Sequence, residues 1–200
     1  MKSDQNKRRV LVGMSGGVDS SVAALLLQRQ GWEVAGLTFE LWDDPAGGCG
    51  TRADVQDAAE VCAQLGIPHY VVDFREEFRE KVIERFVDFY RRGLTPNPCV
   101  ECNRTIKFDA FVRKAEELGY SHVATGHYGR VEQDPADGRW HLYRAEDDSK
   151  DQSYVLYTLT QQQLSRMVLQ LYGYTKEQIR ELAREAGLKI HAKKDSQDIC

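Results

Sequence analysis

The sequence predicts an α/β fold with a doubly wound, mostly parallel sheet, and three observations carry that expectation. Strand-like and helix-like segments alternate from residue 9 onward, the order of successive β–α–β units. A glycine-rich stretch, Ser15-Gly16-Gly17-Val18-Asp19-Ser20-Ser21, separates the apolar run Val10-Leu11-Val12-Gly13-Met14 from the helix-like run Val22-Ala23-Ala24-Leu25-Leu26-Leu27. Residues of chemical character follow the predicted strands at their carboxyl ends, where open α/β sheets bind ligands. They are residues 15–20 after the first strand, Phe39 at the end of the second, and Gly126 and His127 after the fourth.

The first strand is expected at 9–14 and the first helix at 19–30, stopped by Gly31. A strand at 33–39 leads into a loop containing Pro45, Gly47, Gly48 and Gly50. Thr51 is a plausible N-cap for a helix over 52–65, with Ala58, Val61, Cys62 and Leu65 on one face. A strand at 69–74 and a helix at 76–92 follow, the latter with Ile83, Phe86, Val87 and Tyr90 inward. Pro96 and Pro98 stiffen an expected loop before a helix at 106–118 and a strand at 122–125. Residues 139–144 and 153–158 read as short strands around a polar turn. A capping box, Thr175 with Gln178, opens a last helix with Ile179, Leu182, Ala183 and Ala186 inward. The expected organisation is one nucleotide-binding domain over 1–160 and the start of a small helical domain over 161–200.

Two hundred residues, 42% hydrophobic and 29% charged, describe a soluble globular chain with room for a sizeable core. No apolar run approaches the ~20 residues a bilayer requires. The polar N-terminus has no apolar segment behind it, so cytoplasm is the expected location. A net charge of −4 argues against a generally basic nucleic-acid coat. The charge is uneven: residues 40–90 sum to −7, whereas 91–114, with Arg91, Arg92, Arg104, Lys107, Arg113 and Lys114, sum to +4. Such a patch tracks a phosphate backbone or is simply a solvated helix face. The five cysteines, Cys49, Cys62, Cys99, Cys102 and Cys200, are an odd number and do not make a disulfide framework.

Gly16 and Gly17 permit close approach of backbone to a ligand, and the amides of the following helix attract phosphate. No Lys follows the turn, so it is not a Walker A loop. Ser15, Asp19 and Ser20 instead supply hydroxyls and a carboxylate, a set suited to a pyrophosphate leaving group with its magnesium. An ordinary tight βα turn is the alternative, and the complete hexad between strand and helix argues against it. The stretch resembles the PP-loop of ATP pyrophosphatases, which split ATP into AMP and pyrophosphate.

Cys99 and Cys102 form a C-x-x-C inside the basic stretch. Cations and a helix N-terminus are expected to lower a thiol pKa there. The motif alone fits a redox pair, half a zinc site or an iron–sulfur ligand, and no second C-x-x-C supports structural zinc. Cys62 reads as core and Cys49 as a loop thiol. His69, His122, His141 and His191 lack metal spacing, and Tyr154, Leu156 and Tyr157 read more as core than as a base-stacking platform.

Five strings occur in order: SGGVDSSVAALLL, TPNPCVECNRTIKF, ATGHYGR, KDQSYVLYTL and DSQDIC. Together they resemble the tRNA-specific 2-thiouridylase family, often called MnmA, within the PP-loop ATP pyrophosphatase superfamily. The resemblance spans 15–200 and implies an adenine nucleotide alpha hydrolase-like fold. It implies ATP-dependent 2-thiolation of the wobble uridine in tRNA, with a persulfide-carrying donor protein as partner. Gly13, Met14, Ser15, Gly16, Gly17, Val18, Asp19, Ser20, Phe39 and Gly126 match ATP-contacting positions. Asn97, Pro98 and Cys99 match the stretch touching the target base, and His127, Lys150, Asp151 and Gln152 match tRNA contacts. Cys102 and Cys200 match the catalytic cysteines, with the persulfide on Cys200 released by a Cys102–Cys200 disulfide.

Many family members carry Asp where this chain has Cys99. Cys99, Cys102 and Cys200 are thus also possible ligands of a four-iron, four-sulfur (4Fe-4S) cluster, and the persulfide and cluster routes both stay open. Family members continue through a tRNA-handling domain and a β-barrel, so the expectation is that 161–200 begins the former and that the chain is truncated. Two other functions compete: a PP-loop ligase or synthetase adenylating a small molecule, and a non-catalytic adenine-nucleotide-binding fragment.

Overall fold

The computed structural model describes residues 8–41 and 50–194. Five parallel strands form one sheet in the order β3-β2-β1-β4-β7: β1 Arg9–Gly13, β2 Glu33–Glu40, β3 His69–Asp73, β4 His122–Thr125 and β7 Met167–Leu169. The chain moves outward from β1 through β2 to β3, then returns to lay β4 on the other side of β1. The order therefore reverses between β1 and β4, and a crevice opens there at the strands' carboxyl ends.

Alternation along β1 feeds two cores. Val10 and Val12 face α1 (Val18–Arg29), α2 (Arg52–Leu65) and α8 (Lys176–Glu185), while Leu11 faces the opposite layer with Phe108 and Phe111. α1 is buried nearly throughout, from Val18 to Leu27, which explains its continuous apolar sequence. Capping boxes start both α2, at Thr51 with Asp54, and α8, at Thr175 with Gln178. Residues 161–194, expected to begin a second domain, contribute β7 to this sheet and Ile179 and Ala183 to the first core.

Several expectations need correction. The helix expected at 76–92 is α3 (Arg75–Phe78), a π-helical segment (Arg79–Ile83) and α4 (Glu84–Arg91) in unbroken succession. Each residue added to a turn rotates the following face by roughly 100°. Phe78 and Val82 are accordingly buried, while Val87 and Tyr90, expected inward, are exposed. The next helix begins at 98 rather than 106, as α5 (Pro98–Cys102), a second π-helical segment (Asn103–Lys107) and α6 (Phe108–Glu117). Asn97 caps it by accepting from the Val100 amide at 3.2 Å, and Pro98 takes the first helical position, where its missing N–H costs nothing.

A hairpin pairs β5 (Arg130–Gln133) with β6 (Trp140–Tyr143), and the short helix α7 (Gln161–Leu164) precedes β7. Residues 153–158 are not a strand. A 3-10 turn at Ser153–Val155 buries Val155 and Leu156 and turns Tyr154 and Tyr157 outward, 62% and 70% exposed.

Candidate functional site

The glycine-rich turn leaves β1 at the crevice. The Met14 amide donates to the Leu37 carbonyl (2.8 Å), and the buried Thr38 hydroxyl donates to the Met14 carbonyl (2.9 Å), tying the exit of β1 to β2. Gly16 has φ +69°, and a Cβ there would stand 2.5 Å from the Asp54 carbonyl oxygen. Only glycine fits both demands. Val18 is buried and anchors the start of α1 in the core. The Ser15 amide donates to the buried Ser20 hydroxyl (3.2 Å), and Ser21 donates to the Gly17 carbonyl (2.7 Å), so these two serines knit the turn itself. Ser15 is exposed, and no side chain caps α1 at Gly17, which leaves its first amides for a ligand.

β4 closes the crevice from the other side. A Cβ on Gly126 would lie 2.6 Å from the Ser20 amide nitrogen and 2.8 Å from the Asp19 carbonyl carbon. Phe39, at the end of β2, meets Phe74 and Phe111 edge-on, with ring centroids 5.2 and 5.6 Å apart. Phe111 also sets the floor under Gly13, where a Cβ would come within 3.4 Å of its ring. The structure thus gathers the sequence-predicted residues Gly13 through Ser20, Phe39 and Gly126 at one place.

Two lysines remote in sequence reach this turn. Lys176, the first residue of α8, places Nζ 2.7 and 2.8 Å from the two carboxylate oxygens of Asp19, and the Tyr128 hydroxyl donates to the same carboxylate at 2.9 Å. Lys193 donates to the Gly16 carbonyl and to Asp54, each at 3.1 Å, and to Asp57 at 2.5 Å. Burial works against the Lys193 ammonium, but Asp57 and Asp54 outweigh it and hold its pKa above the usual value. The sequence reading missed both lysines. Neither stands in a local motif, and only the fold of α8 and the residues after it brings them here.

The C-x-x-C pair lies on α5. Cys99 is partly exposed in the first turn, while Cys102 is 3% exposed and packs with Leu41, Phe78, Val82 and Ile106. Burial pushes the Cys102 thiol up, Lys107 pulls it back in part, and Cys99 adds to the rise. The expected lowering therefore does not hold for Cys102: it sits where α5 runs on into the π-helical segment, not at the helix N-terminus. Cys62 is core, its thiol pushed up to about 11 by burial. Cys62, Cys99 and Cys102 are free thiols, and Cys49 and Cys200 lie outside the described residues.

His127 follows β4 with Nδ1 2.8 Å from the Thr125 hydroxyl. Burial, aided by the charge of Lys107, pushes its pKa down to about 3, so the ring is neutral at physiological pH. Asp151 accepts from the Ala145 and Ser153 amides (3.0 and 3.3 Å), and Gln152 accepts from the Tyr128 amide (3.2 Å). These two side chains shape the loop that carries Lys150. In the basic stretch Arg104 pairs with Glu101, Arg92 with Asp88, Arg113 with Asp109 and Lys114 with Glu117, which lowers its net field.

A cavity of about 410 Å³ opens beside α5, walled by Phe86, Phe89, Asn97, Pro98, Tyr154 and Tyr157. The two tyrosines, expected more as core, are thus exposed aromatic faces next to the C-x-x-C helix. His141, read as lacking metal spacing, draws together with Asp134 and Asp137 at the β5–β6 turn, their ligating atoms within 4.8 Å of one another.

The described residues contain no helix long and apolar enough to cross a membrane. A family model described as the tRNA methyl transferase HUP domain matches residues 8–200. A curated relative from Clostridioides difficile (strain 630), named tRNA-specific 2-thiouridylase MnmA, is 50% identical over 96% of this chain and 55% of its own length. The relative of that name from Heliobacterium modesticaldum is 51% identical over 97% of this chain and 52% of its own. The chain thus spans about half the length of the curated relatives it matches. Among solved structures, a 4-thiouridine synthetase–RNA complex with bound ATP superposes with TM-score 0.65 at 21% identity, over 96% of this chain and 44% of that one. The U34-tRNA thiolase NcsA from Methanococcus maripaludis with its 4Fe-4S cluster gives TM-score 0.58 at 22% identity, over 99% and 63%. These two likenesses show the fold. Matched along nearly its whole length by the family model, and by relatives half identical to it that carry the MnmA name, the chain belongs to the tRNA methyl transferase HUP-domain family.

Proposed function

We propose that the protein catalyses ATP-dependent 2-thiolation of the wobble uridine of tRNA in the cytoplasm, with sulfur delivered by a persulfide-carrying partner. The observation that carries this reading is the meeting of the glycine-rich turn and Gly126 at the β1–β4 crevice, joined through Phe111 to the helix that bears Cys99 and Cys102. The 2-thiouridylase names of the half-identical relatives support the choice of substrate.

A uracil carbonyl is a poor electrophile, and oxide is not a usable leaving group. Attack of the base oxygen on the α-phosphorus of ATP expels pyrophosphate and makes that oxygen part of AMP. The uncapped amides of α1 and the Ser15 hydroxyl suit the departing pyrophosphate. The outer sulfur of a Cys200 persulfide then attacks C2 of the base. The Cys102 sulfur, its proton removed, attacks Sγ of Cys200, forming a Cys102–Cys200 disulfide as AMP leaves and the sulfur stays on the base. The target base must leave the anticodon stack, and the tyrosine-walled cavity beside Asn97 and Pro98 suits an unstacked base.

Magnesium, when bound, neutralises phosphate charge. Asp19 is the carboxylate nearest the turn's serines in sequence, but Lys176 already engages both of its oxygens. Of three possible ligands for an iron–sulfur cluster, Cys99 and Cys102 stand one helical turn apart on α5, a spacing compatible with a cluster, and the third, Cys200, lies outside the described residues. The test is anaerobic purification of a version extended to the length of its relatives, iron and sulfide analysis, and a thiolation assay on unmodified tRNA. ATP-dependent 2-thiouridine is the expected product. No product with an active sulfur donor, or turnover unchanged without Cys102 and Cys200, would overturn the reading.

A further inference from the structure

We propose that Cys99 is a second resolving thiol, one that frees Cys200 after each round by attacking Sγ of Cys102 in the Cys102–Cys200 disulfide. A Cys99–Cys102 disulfide remains, for a dithiol reductant to open. The proposal rests on the persulfide chemistry proposed for the site. Each round of that chemistry ends in a disulfide, and Cys200 accepts no further sulfur until it is released. The Cys102 end of that disulfide is closed to an external reductant. Cys102 is 3% exposed and packs among Leu41, Phe78, Val82 and Ile106, whereas thiol–disulfide exchange requires access to the sulfur attacked.

Cys99 has the access that Cys102 lacks. It lies three residues earlier on α5 and is partly exposed. Residues so spaced on an α-helix have Cα atoms about 5 Å apart, within the range a disulfide bridges. Both ends of α5 are held: the Asn97 side chain accepts from the Val100 amide, and the buried Asn103 side chain donates to the Val155 carbonyl, each at 3.2 Å. Cys62, the other free thiol among the described residues, belongs to the separate core around α1 and α2. The exchange itself needs no oxidant. Cys99 gives its proton to solvent, its sulfur bonds to Sγ of Cys102, and the Cys102–Cys200 bond breaks as Cys200 leaves as a thiolate. A dithiol then attacks Sγ of Cys99, and Cys102 leaves and takes up a proton. The second thiol of the reductant displaces Cys99 and closes a disulfide of its own, supplying the two electrons of the reset.

The signature is which cysteines are paired after one round. A version extended to the length of its relatives is loaded with sulfur by an active donor, freed of it, and given ATP and one equivalent of unmodified tRNA without reductant. The reaction is stopped in acid, free thiols are blocked with N-ethylmaleimide in denaturant, and disulfides are mapped by peptide mass spectrometry. Wild type should show a Cys99–Cys102 disulfide and a blocked Cys200, and Cys99→Ser a Cys102–Cys200 disulfide. With excess tRNA, donor and thioredoxin as the dithiol, later rounds in Cys99→Ser should run at least about tenfold slower than its own first, a drop wild type does not show. The wild-type pairing decides the matter even if Cys99→Ser fails to fold. Thiolated tRNA beside a wild-type Cys102–Cys200 disulfide with Cys99 blocked, or undiminished later rounds in folded Cys99→Ser, overturns this proposal alone. No thiolated tRNA, or thiolation with iron bound and all three cysteines blocked, removes the persulfide reading and the proposal with it.

Discussion

Lys193 donates from Nζ to the carbonyl oxygen of Gly16 across 3.1 Å, fastening the end of the described chain to the nucleotide turn. Lys193 stands seven residues before Cys200 in the sequence, the thiol proposed to carry the persulfide.

Lys193→Met should loosen the turn. Its loss leaves Asp54 and Asp57 without their shared cation, and the side chain is 34% exposed. We expect a stability loss of about 1 kcal/mol, reduced by that exposure, with a larger proportional rise in KM for ATP than any fall in kcat. Denaturant melts and ATP kinetics on the same protein check this, and unchanged melting would deny the tether any structural weight. The raised Lys193 pKa adds a pH signature. This contribution should be complete below the ordinary lysine value near 10.5 and fade only as pH rises beyond it.

Gly126→Ala should damage the crevice out of proportion to one methyl group. The new Cβ would meet backbone at 2.6 and 2.8 Å, and neither β4 nor α1 can yield as a side chain can. Overpacking of this kind costs about 1–3 kcal/mol, and ATP affinity should fall with it. Gly129→Ala is the control, since its Cβ would find its nearest neighbour at 3.4 Å. Equal behaviour of the two variants would contradict the close approach.

His127 should stay neutral across the physiological range. Its folded pKa, pushed down to about 3, lies below the ordinary 6.5, so its contribution to stability is full above about pH 6.5 and drains away as pH falls toward 3. Ring-proton NMR should show no His127 titration between pH 5 and 8, and His127→Asn should flatten the acid limb of the stability curve. A midpoint near 6.5 would mean the ring is solvated and free to carry charge toward a phosphate.

Alkylation should distinguish the two α5 thiols. Iodoacetamide at pH 7.5, followed by peptide mass spectrometry, should label Cys99 well before Cys102 and Cys62, which react only once denaturant opens the core. Equal rates at Cys99 and Cys102 would show that Cys102 reaches solvent without a conformational change. A slow Cys102 would mean that a conformational change must expose it before it can act as the resolving thiol proposed for it.

The sheet and its nucleotide turn were legible because their signals are local. An apolar run, paired glycines and a second apolar run fix β1, the turn and α1 within some twenty residues. Thr51 as an N-cap announced α2, and the Thr175–Gln178 capping box announced α8, for the same reason. Pro98 misled because a proline reads as a breaker, although at the first position of α5 it is compatible with the helix. Hydropathy does not encode a π-helical insertion, so the inward face after Ile83 came out wrong. β7 is three residues long, too short for any period to show. Tyr154 and Tyr157 flank two buried residues, and nothing local told which pair would face inward. Lys176 and Lys193 act across 157 and 177 residues, a pairing only tertiary structure creates.

The central claim is that this turn adenylates an oxygen, and the products of ATP show it most directly. Phosphorus NMR of ATP turnover with unmodified tRNA and a sulfur donor, in a version extended to the length of its relatives, should show AMP and pyrophosphate accumulating in step with 2-thiouridine. Asp19→Asn, folded by thermal melt but stripped of the carboxylate that meets Lys176 and Tyr128, should release neither. ADP and phosphate as products, or wild-type pyrophosphate release from folded Asp19→Asn, would contradict the account.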